Sequence, residues 1–371
     1  MLLECASPAI DSRRLAELSR ADWSRLLILA EQHGVLGHLA VGLVKVGENL
    51  VPPEMRLALV ERHRGQVFST LRLTAELFRV LELFAAKGIS VLVVKGAVLA
   101  MHAYGDPTMR NYGDLDLLVR QRDIRRATEC LQAADFEPTV SLAAIQAGKI
   151  PGQYLFSRRN ENLLVELHND LTLRYFPRAL PLEKLFRRKI LVHVDAHQVP
   201  ALSVEDELVY ICVHGATHFW DRLGWIADVA GLIARQRNID WESVDEIAKE
   251  VGAERIVHLG LRLASDLLHM GLPDVVRNEV REDAGATKLA SSVQSWLTDT
   301  DERSPSLFSR AVFRLRMRGS GLSALGYLLR LSLSPTEEDW NHDTTSGKRS
   351  FLDAMRRPFR LVRKYGRGDK S

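Results

Sequence analysis

Val94-Lys-Gly-Ala-Val-Leu-Ala-Met-His-Ala-Tyr-Gly-Asp-Pro-Thr-Met-Arg-Asn-Tyr-Gly-Asp-Leu-Asp-Leu-Leu-Val119 is the informative stretch of this 371-residue chain. It follows Ile89-Ser-Val-Leu-Val-Val94, a short β-branched run of the kind that forms a buried strand. The spacing then predicts a brief helix over Ala97 to Tyr104, a polar turn at Gly105-Asp-Pro-Thr108, and a second strand over Asp114-Leu-Asp-Leu-Leu-Val119. Side chains on a strand alternate faces, so Asp114 and Asp116 point one way with Cα atoms roughly 6.5–7 Å apart. Leu115, Leu117 and Val119 then face the core. Two like charges this close repel, and a divalent cation resolves the repulsion; hard oxygen ligands suit Mg²⁺. Lys95-Gly96 stands between strand and helix. Glycine admits close approach of a ligand, and the N–H groups and positive dipole end of the following helix favour phosphate. The stretch thus places a phosphate cradle beside a metal site, where two ions about 3.5–4 Å apart activate an attacking oxygen and stabilise the leaving one.

A third carboxylate completes such a site. Glu166, in Leu163-Leu-Val-Glu-Leu-His168, is the choice: with His168 it projects from one face of a strand whose other face carries Val165 and Leu167. A charge within an apolar strand needs a partner, and metal is one. This strand pairs antiparallel with Gln153–Ser157 through a turn at Arg158-Arg-Asn-Glu-Asn162, and Ile190–Val194 is a further strand.

Outside this unit the periodicity is helical. Ser12 to Val46 repeats apolar residues at three- and four-residue steps with Gly34 as punctuation, and a second block runs from near Pro53 to Gly88, a helix C-cap. After Pro200 no strand is expected. Ser203-Val-Glu-Asp206 reads as an N-cap, helical spacing continues to about Met270, and further helices are expected over Lys288–Leu297 and Pro305–Leu333. The expected organisation is a helical segment over 1–87, an α/β core over 88–200, a helical domain over 201–340 and a basic tail over 341–371.

Composition excludes some classes. A hydrophobic share of 46% with 26% charged residues is that of ordinary soluble proteins, not of disorder. The longest run without Asp, Glu, Lys or Arg is 13 residues, Leu208 to Trp220, and a spanning helix needs about 20. The N-terminus does not read as a secretory signal. Cys5, Cys130 and Cys212 are too scattered for a zinc ribbon or a disulfide framework, and a reducing cytoplasmic location is expected. From Asn341 onward nine basic side chains face three acidic ones, whereas the rest has 41 basic and 44 acidic. The body is near neutral and the tail basic. Phe351, Leu352, Met355, Phe359, Leu361 and Val362 give that tail a partly amphipathic pattern, so weak contact with a membrane surface or polyanion is one expectation and simple terminal charge the other.

The glycine turn, Asp-x-Asp strand and later acidic strand resemble the DNA polymerase β-like nucleotidyltransferase superfamily. The fuller set is similar to the bacterial uncharacterised nucleotidyltransferase family within it. That set comprises Lys95-Gly96, Tyr104-Gly-Asp-Pro107, Arg110, Asp114-Leu-Asp-Leu-Leu-Val119, Glu166-Leu-His168, His214-Gly-Ala-Thr-His218, Trp225-Ile-Ala-Asp228 and Pro335-Thr-Glu-Glu-Asp-Trp340. The resemblance spans roughly Leu26 to Trp340. It implies an α/β nucleotidyltransferase core with a mixed sheet, flanked by helical segments. It further implies a Mg²⁺-dependent transferase that moves a nucleoside monophosphate from a bound nucleoside triphosphate, ATP among them, to an acceptor. On that basis Asp114, Asp116 and Glu166 are the catalytic and metal-binding residues, and Lys95, Gly96 and Arg110 bind the nucleotide. His168, His214, His218 and Asp228 are candidates for the acceptor pocket, and the acceptor is a small molecule, peptide, protein or RNA. One departure stands out: the superfamily commonly has Gly-Ser at the turn, where this chain has Lys95-Gly96.

Structural readings compete at each position. Asp114 and Asp116 fit a solvent-facing strand edge, Glu166 a water-facing strand residue, Lys95 a simple carboxylate partner and Arg110 a salt bridge. His214 and His218, at i and i+4, share a helix face in zinc-ligand spacing but lack a third ligand; packing or a bond to Asp221 or Asp228 is the alternative. Trp220 and Trp225 read as core aromatics and His102 as a polar packing residue. A non-catalytic nucleotide-binding or scaffold protein retaining the fold is the competing function.

Overall fold

A computed structural model describes residues 17–46, 51–139, 152–158, 163–171, 181–298 and 305–319, with Leu3, Ile145 and Glu161. The basic tail, the Pro335–Trp340 segment and most of the helix expected to reach Leu333 lie outside the described residues.

Thirteen α-helices and a seven-stranded mixed sheet are present among them. The N-terminal pattern resolves into α1 (Arg20–Gln32) and α2 (Leu36–Val46), with Gly34 between, and the second block is one long helix, α3 (Pro53–Ala86). Then come β1 (Val91–Val93), α4 (Ala97–Tyr104), β2 (Leu115–Val119), α5 (Ile124–Ala133), β3 (Glu137–Pro138), β4 (Gln153–Arg158), β5 (Leu163–His168), α6 (Leu182–Arg188), β6 (Ile190–Val194) and β7 (His197–Ala201). The remaining helices are α7 (Val204–Thr217), α8 (Leu223–Arg235), α9 (Trp241–Val251), α10 (Glu254–Leu268), α11 (Asp274–Glu282), α12 (Ala284–Thr298) and α13 (Leu307–Arg316).

The sheet order is β3-β4-β5-β2-β1-β7-β6. β1 runs antiparallel to β2, β2 parallel to β5, and β5 antiparallel to β4. Two strands were not expected from sequence, the two-residue β3 and β7. β7 follows β6 through a tight turn and pairs with it from Ile190↔Ala201 to Val194↔His197, while Val93↔Ala201 joins it to β1. Its residues, His-Gln-Val-Pro-Ala, include the proline at which strands were expected to stop.

Alternation divides the sheet into two faces. Val91, Val93, Leu115, Leu117, Val119, Val165 and Leu167 pack with Leu73, Leu77, Val80 and Phe84 of α3 and Ile124, Ala127 and Leu131 of α5. On the opposite face Leu92, Val94 and Leu118 join a larger core containing α1, α2, α4 and the helices after β7. The N-terminal helices and those after the sheet therefore share one apolar core. α8 lies along α4, and α7 packs on α9 and α10. No helix among the described residues is long and apolar enough to cross a membrane.

Candidate active site

The polar groups collect on the second face, at the end of β1 and β2. The Val94 amide donates to the Asp116 carbonyl at 3.1 Å, extending the β1–β2 ladder by one residue and bringing Lys95 alongside Asp116. The chain then turns at Gly96, with φ 63° and ψ −128°. L-residues are excluded from that region by their Cβ, so the backbone itself demands glycine. A Cβ built there would only touch the Tyr112 ring at 3.5 Å, so space is not the constraint. Tyr112 is buried, and its hydroxyl lies 3.1 Å from Thr74 Oγ1 of α3. Gly96 is itself buried, and the turn is backed by the aromatic ring of Tyr112. α4 starts directly after it.

Register assembles the carboxylates. In the parallel β2–β5 pair Asp116 is opposite Glu166, and His168 follows two residues on, facing the same way. One ligand atom each from Asp116, Glu166 and His168 lies within 4.8 Å of the others. Asp116, 2% exposed, is the most deeply placed carboxylate of the set. Its Oδ1 meets Lys95 Nζ at 3.0 Å and His168 Nε2 at 3.2 Å. His168 Nε2 is also 3.6 Å from Glu166 Oε2, while its buried Nδ1 has no hydrogen-bond partner. Asp114 precedes β2 and shares the electrostatic environment of Asp116, Lys95, Arg110 and His168.

Charge is divided unevenly among these groups. Burial by itself raises the Asp116 carboxyl, but the Lys95 ammonium and the His168 ring outweigh it and hold Asp116 well below the usual carboxylate range. Burial lowers Lys95, yet Asp116 overrides it and keeps the ammonium charged. Asp114 is pushed up by burial and then by Asp116. Glu166 is pushed up to about 8 by burial, with the charges of Asp116 and Asp114 adding to it. Three carboxylates in one partly dry site cannot all ionise without added positive charge. Oxygens of Asp116 and Glu166, with one imidazole nitrogen of His168, make a donor set that fits a divalent cation, and Asp114 lies outside that converging group.

A second group lies beside it. Arg110 Nε donates to Asp228 Oδ2 at 2.8 Å, and the Tyr104 hydroxyl donates to Asp228 Oδ1 at 2.9 Å. Asp228 belongs to α8, so this carboxylate ties the loop after α4 to the helical layer. Burial opposes the Arg110 charge, but Asp228 holds the guanidinium firmly protonated. At the end of α7, the rings of His214 and of the C-cap residue His218 are 4.8 Å apart, and both face Trp225, at 5.5 and 5.0 Å. His214 is kept neutral by burial and by Lys95. Neither histidine joins Asp116, Glu166 and His168 in the metal-competent cluster. Trp220 is fully buried, whereas Trp225 is half-buried against these rings. His102 is a packing residue, its Nδ1 2.5 Å from Glu207 Oε2 of α7.

Three residues near the site were not singled out from sequence. Tyr210 stands one turn before His214 on α7, in the field of Lys95, Asp116, Glu166 and Asp114; the four-residue step Tyr210, His214, His218 was the available signal. Tyr104, within the quoted Tyr-Gly-Asp-Pro motif, supplies the hydroxyl on Asp228. His38 of α2 packs edge-on to Tyr104 at 4.7 Å, with both ring nitrogens buried and unpartnered. Burial, against the pull of Asp228, lowers it to about 4. Nothing local in α2 announces that role.

A protein-family model described as uncharacterised nucleotidyltransferase matches residues 19–269 of the chain. No curated protein matches it.

Proposed function

Because this chain belongs to the uncharacterised nucleotidyltransferase family, we propose that it transfers a nucleoside monophosphate from a nucleoside triphosphate to an acceptor, in the manner of the DNA polymerase β-like superfamily. An acceptor oxygen or nitrogen bonds to the α-phosphorus, the bond to the β-phosphate oxygen breaks, and pyrophosphate leaves. The single observation that carries this reading is the β2–β5 register, which sets Asp116 opposite Glu166 on the polar face beside the Gly96 turn. Asp114, Asp116 and Glu166 would hold Mg²⁺, which when bound offsets the charge of carboxylates and triphosphate together. Lys95 takes the place of the superfamily's hydroxyl at the turn, offering a cation to the phosphates. Gly96 lets the phosphates approach the backbone, and Arg110 with Asp228 orients the loop over them. His168, with Nε2 3.2 Å from Asp116 Oδ1, holds that carboxylate in place. His214, His218 and Trp225 line the acceptor side.

The test is incubation of the full chain with Mg²⁺, cell extract and nucleotides labelled on the α-phosphate, read by mass spectrometry. The expected product is an acceptor heavier by one nucleotide, absent with Asp114→Ala/Asp116→Ala. A second reading, a nucleotide-binding scaffold without turnover, draws on the Lys95–Asp116 ion pair, which occupies the carboxylate most needed for metal. Calorimetric nucleotide binding that ignores both Mg²⁺ and the aspartate substitutions would favour the scaffold.

A further inference from the structure

The corner after α7 is conformationally unusual. Phe219 and Trp220 take φ of 59° and 55°, consecutive left-handed residues that are not glycine. Packing holds them there: the Trp220 ring fills the space beside Gly215 and Gly260, where an added Cβ would come within 2.5 and 3.1 Å of it. The turn sets His218, the buried Phe219 and the exposed Arg222 next to one another at the end of α7. Arg310 and Arg314 of α13 stand over the Phe219 ring, 5.3 and 4.9 Å from its centroid. Arg222 lies 5.7 Å from the Trp225 centroid, and that ring is 5.0 Å from His218. A guanidinium stacked on an aromatic ring is oriented through its face. The buried Nε of Arg310 meets no acceptor among the described residues.

This corner continues the candidate active site. His218 is in the field of Lys95, Arg222 and Arg314 together, and His214 in that of Lys95, Asp116 and Arg110. Cationic side chains therefore flank two imidazoles that burial holds neutral: Lys95 and Arg110 act on His214, and Lys95, Arg222 and Arg314 act on His218. Asp221 is the nearby carboxylate within the field of Arg222 and Arg310.

We infer that Arg222, Arg310 and Arg314, with His218 at their inner edge, form a second phosphate subsite for a phosphate group other than the one transferred. The inference rests on the nucleotidyl-transfer reading for its place in the reaction, but the binding it asserts does not. The chemistry is that of clustered phosphate oxygens on planar guanidinium groups. The group comes either from the end of the donor triphosphate or from a phosphorylated acceptor.

Calorimetric titration of the full chain with inorganic tripolyphosphate, in EDTA and at low salt, tests the subsite without the metal site. Arg222→Gln, at an exposed position, is expected to weaken binding about tenfold, and Arg222→Gln/Arg310→Gln/Arg314→Gln more strongly. The salt dependence becomes shallower as each charge is removed. Thermal melts of each variant show that the fold persists, and the exposed single variant suffices should the triple variant unfold. A second arm adds Mg²⁺ and a saturating non-hydrolysable nucleoside triphosphate. Exclusion of tripolyphosphate assigns the subsite to the donor's tail; retained binding assigns it to the acceptor. Absence of tripolyphosphate binding by the wild type, or equal affinity in the arginine variants, overturns the proposal. Failure of the nucleotidyl-transfer reading appears separately, as nucleotide binding that ignores Asp114→Ala/Asp116→Ala.

Discussion

One oxygen, Asp116 Oδ1, receives both Lys95 Nζ at 3.0 Å and His168 Nε2 at 3.2 Å, and this small fact governs the site's chemistry at the residue scale. Removing one partner of a buried ion pair leaves the other charge uncompensated. Lys95→Met is therefore expected to lower unfolding stability by about 3 kcal/mol, measured by urea denaturation. If the carboxylates bind Mg²⁺, adding the ion restores part of that loss; a variant as stable as wild type in EDTA would show that the pair is not buried as described. Glu166 yields a pH prediction. Its folded carboxyl lies near 8 against an ordinary value of 4.5, so between these the folded state binds more protons than the unfolded one. Metal-free stability attributable to Glu166 must then fall as pH rises through that window, and Glu166→Gln should flatten the decline. Unchanged pH profiles of the two proteins in EDTA would refute the assignment. The carboxylates were legible because period-two alternation is local: Asp114 and Asp116, and Glu166 and His168, are each two residues apart. The ion pair of Lys95 with one particular carboxylate was legible only as an alternative, since pairing depends on where the turn sends its side chain.

At the scale of elements, α7 carries Tyr210 and His214, with His218 as its C-cap, and its start is set by Ser203. The Ser203 hydroxyl accepts from the Asp206 amide at 3.2 Å and donates to Asp206 Oδ2 at 2.9 Å. Asp206 is in turn clamped by Arg188 of α6, through Nε at 2.8 Å and Nη2 at 2.5 Å. Ser203→Ala should cost about 1 kcal/mol of stability in a urea melt, the usual loss for a helix N-cap. A loss near zero would mean that Arg188 and Asp206 alone fix the helix start. The cap was readable because a serine followed by acids is a local signal. β7 was not, because His197, Gln198 and Pro200 give it neither alternation nor β-branched character. It is a strand because β6 folds back onto it and because Ala201 meets Val93. Its Pro200 lies directly before the parallel bridge to β1, close to the strand's end, where proline is tolerated.

Across the whole molecule, the polar face of the sheet is joined to the helical layer by buried pairs. Arg110–Asp228, with the Tyr104 hydroxyl, fastens the loop after α4 to α8, and His102–Glu207 fastens α4 to α7. Arg110→Met or Asp228→Leu alone should each cost about 3 kcal/mol or more, because each strands a buried charge. The combined variant should lose less than the two single losses together, since neither charge is then left unpaired. Additive losses in a double-mutant cycle would show that the groups do not interact.

The sequence alone determined most of the elements, though not β3 or β7, and the residue types at the cleft: the glycine turn, the Asp-x-Asp strand, the acidic strand and the helices around them are written in spacings of two to four residues. Only the tertiary structure decided which of these meet. The parallel register that sets Asp116 against Glu166, the burial that separates their proton affinities, and the packing that sets His38 against Tyr104 and the α13 arginines over Phe219 all join residues far apart in the chain. Local periodicity holds no information about such pairings, because they are chosen by the shared core that closes over both faces of the sheet.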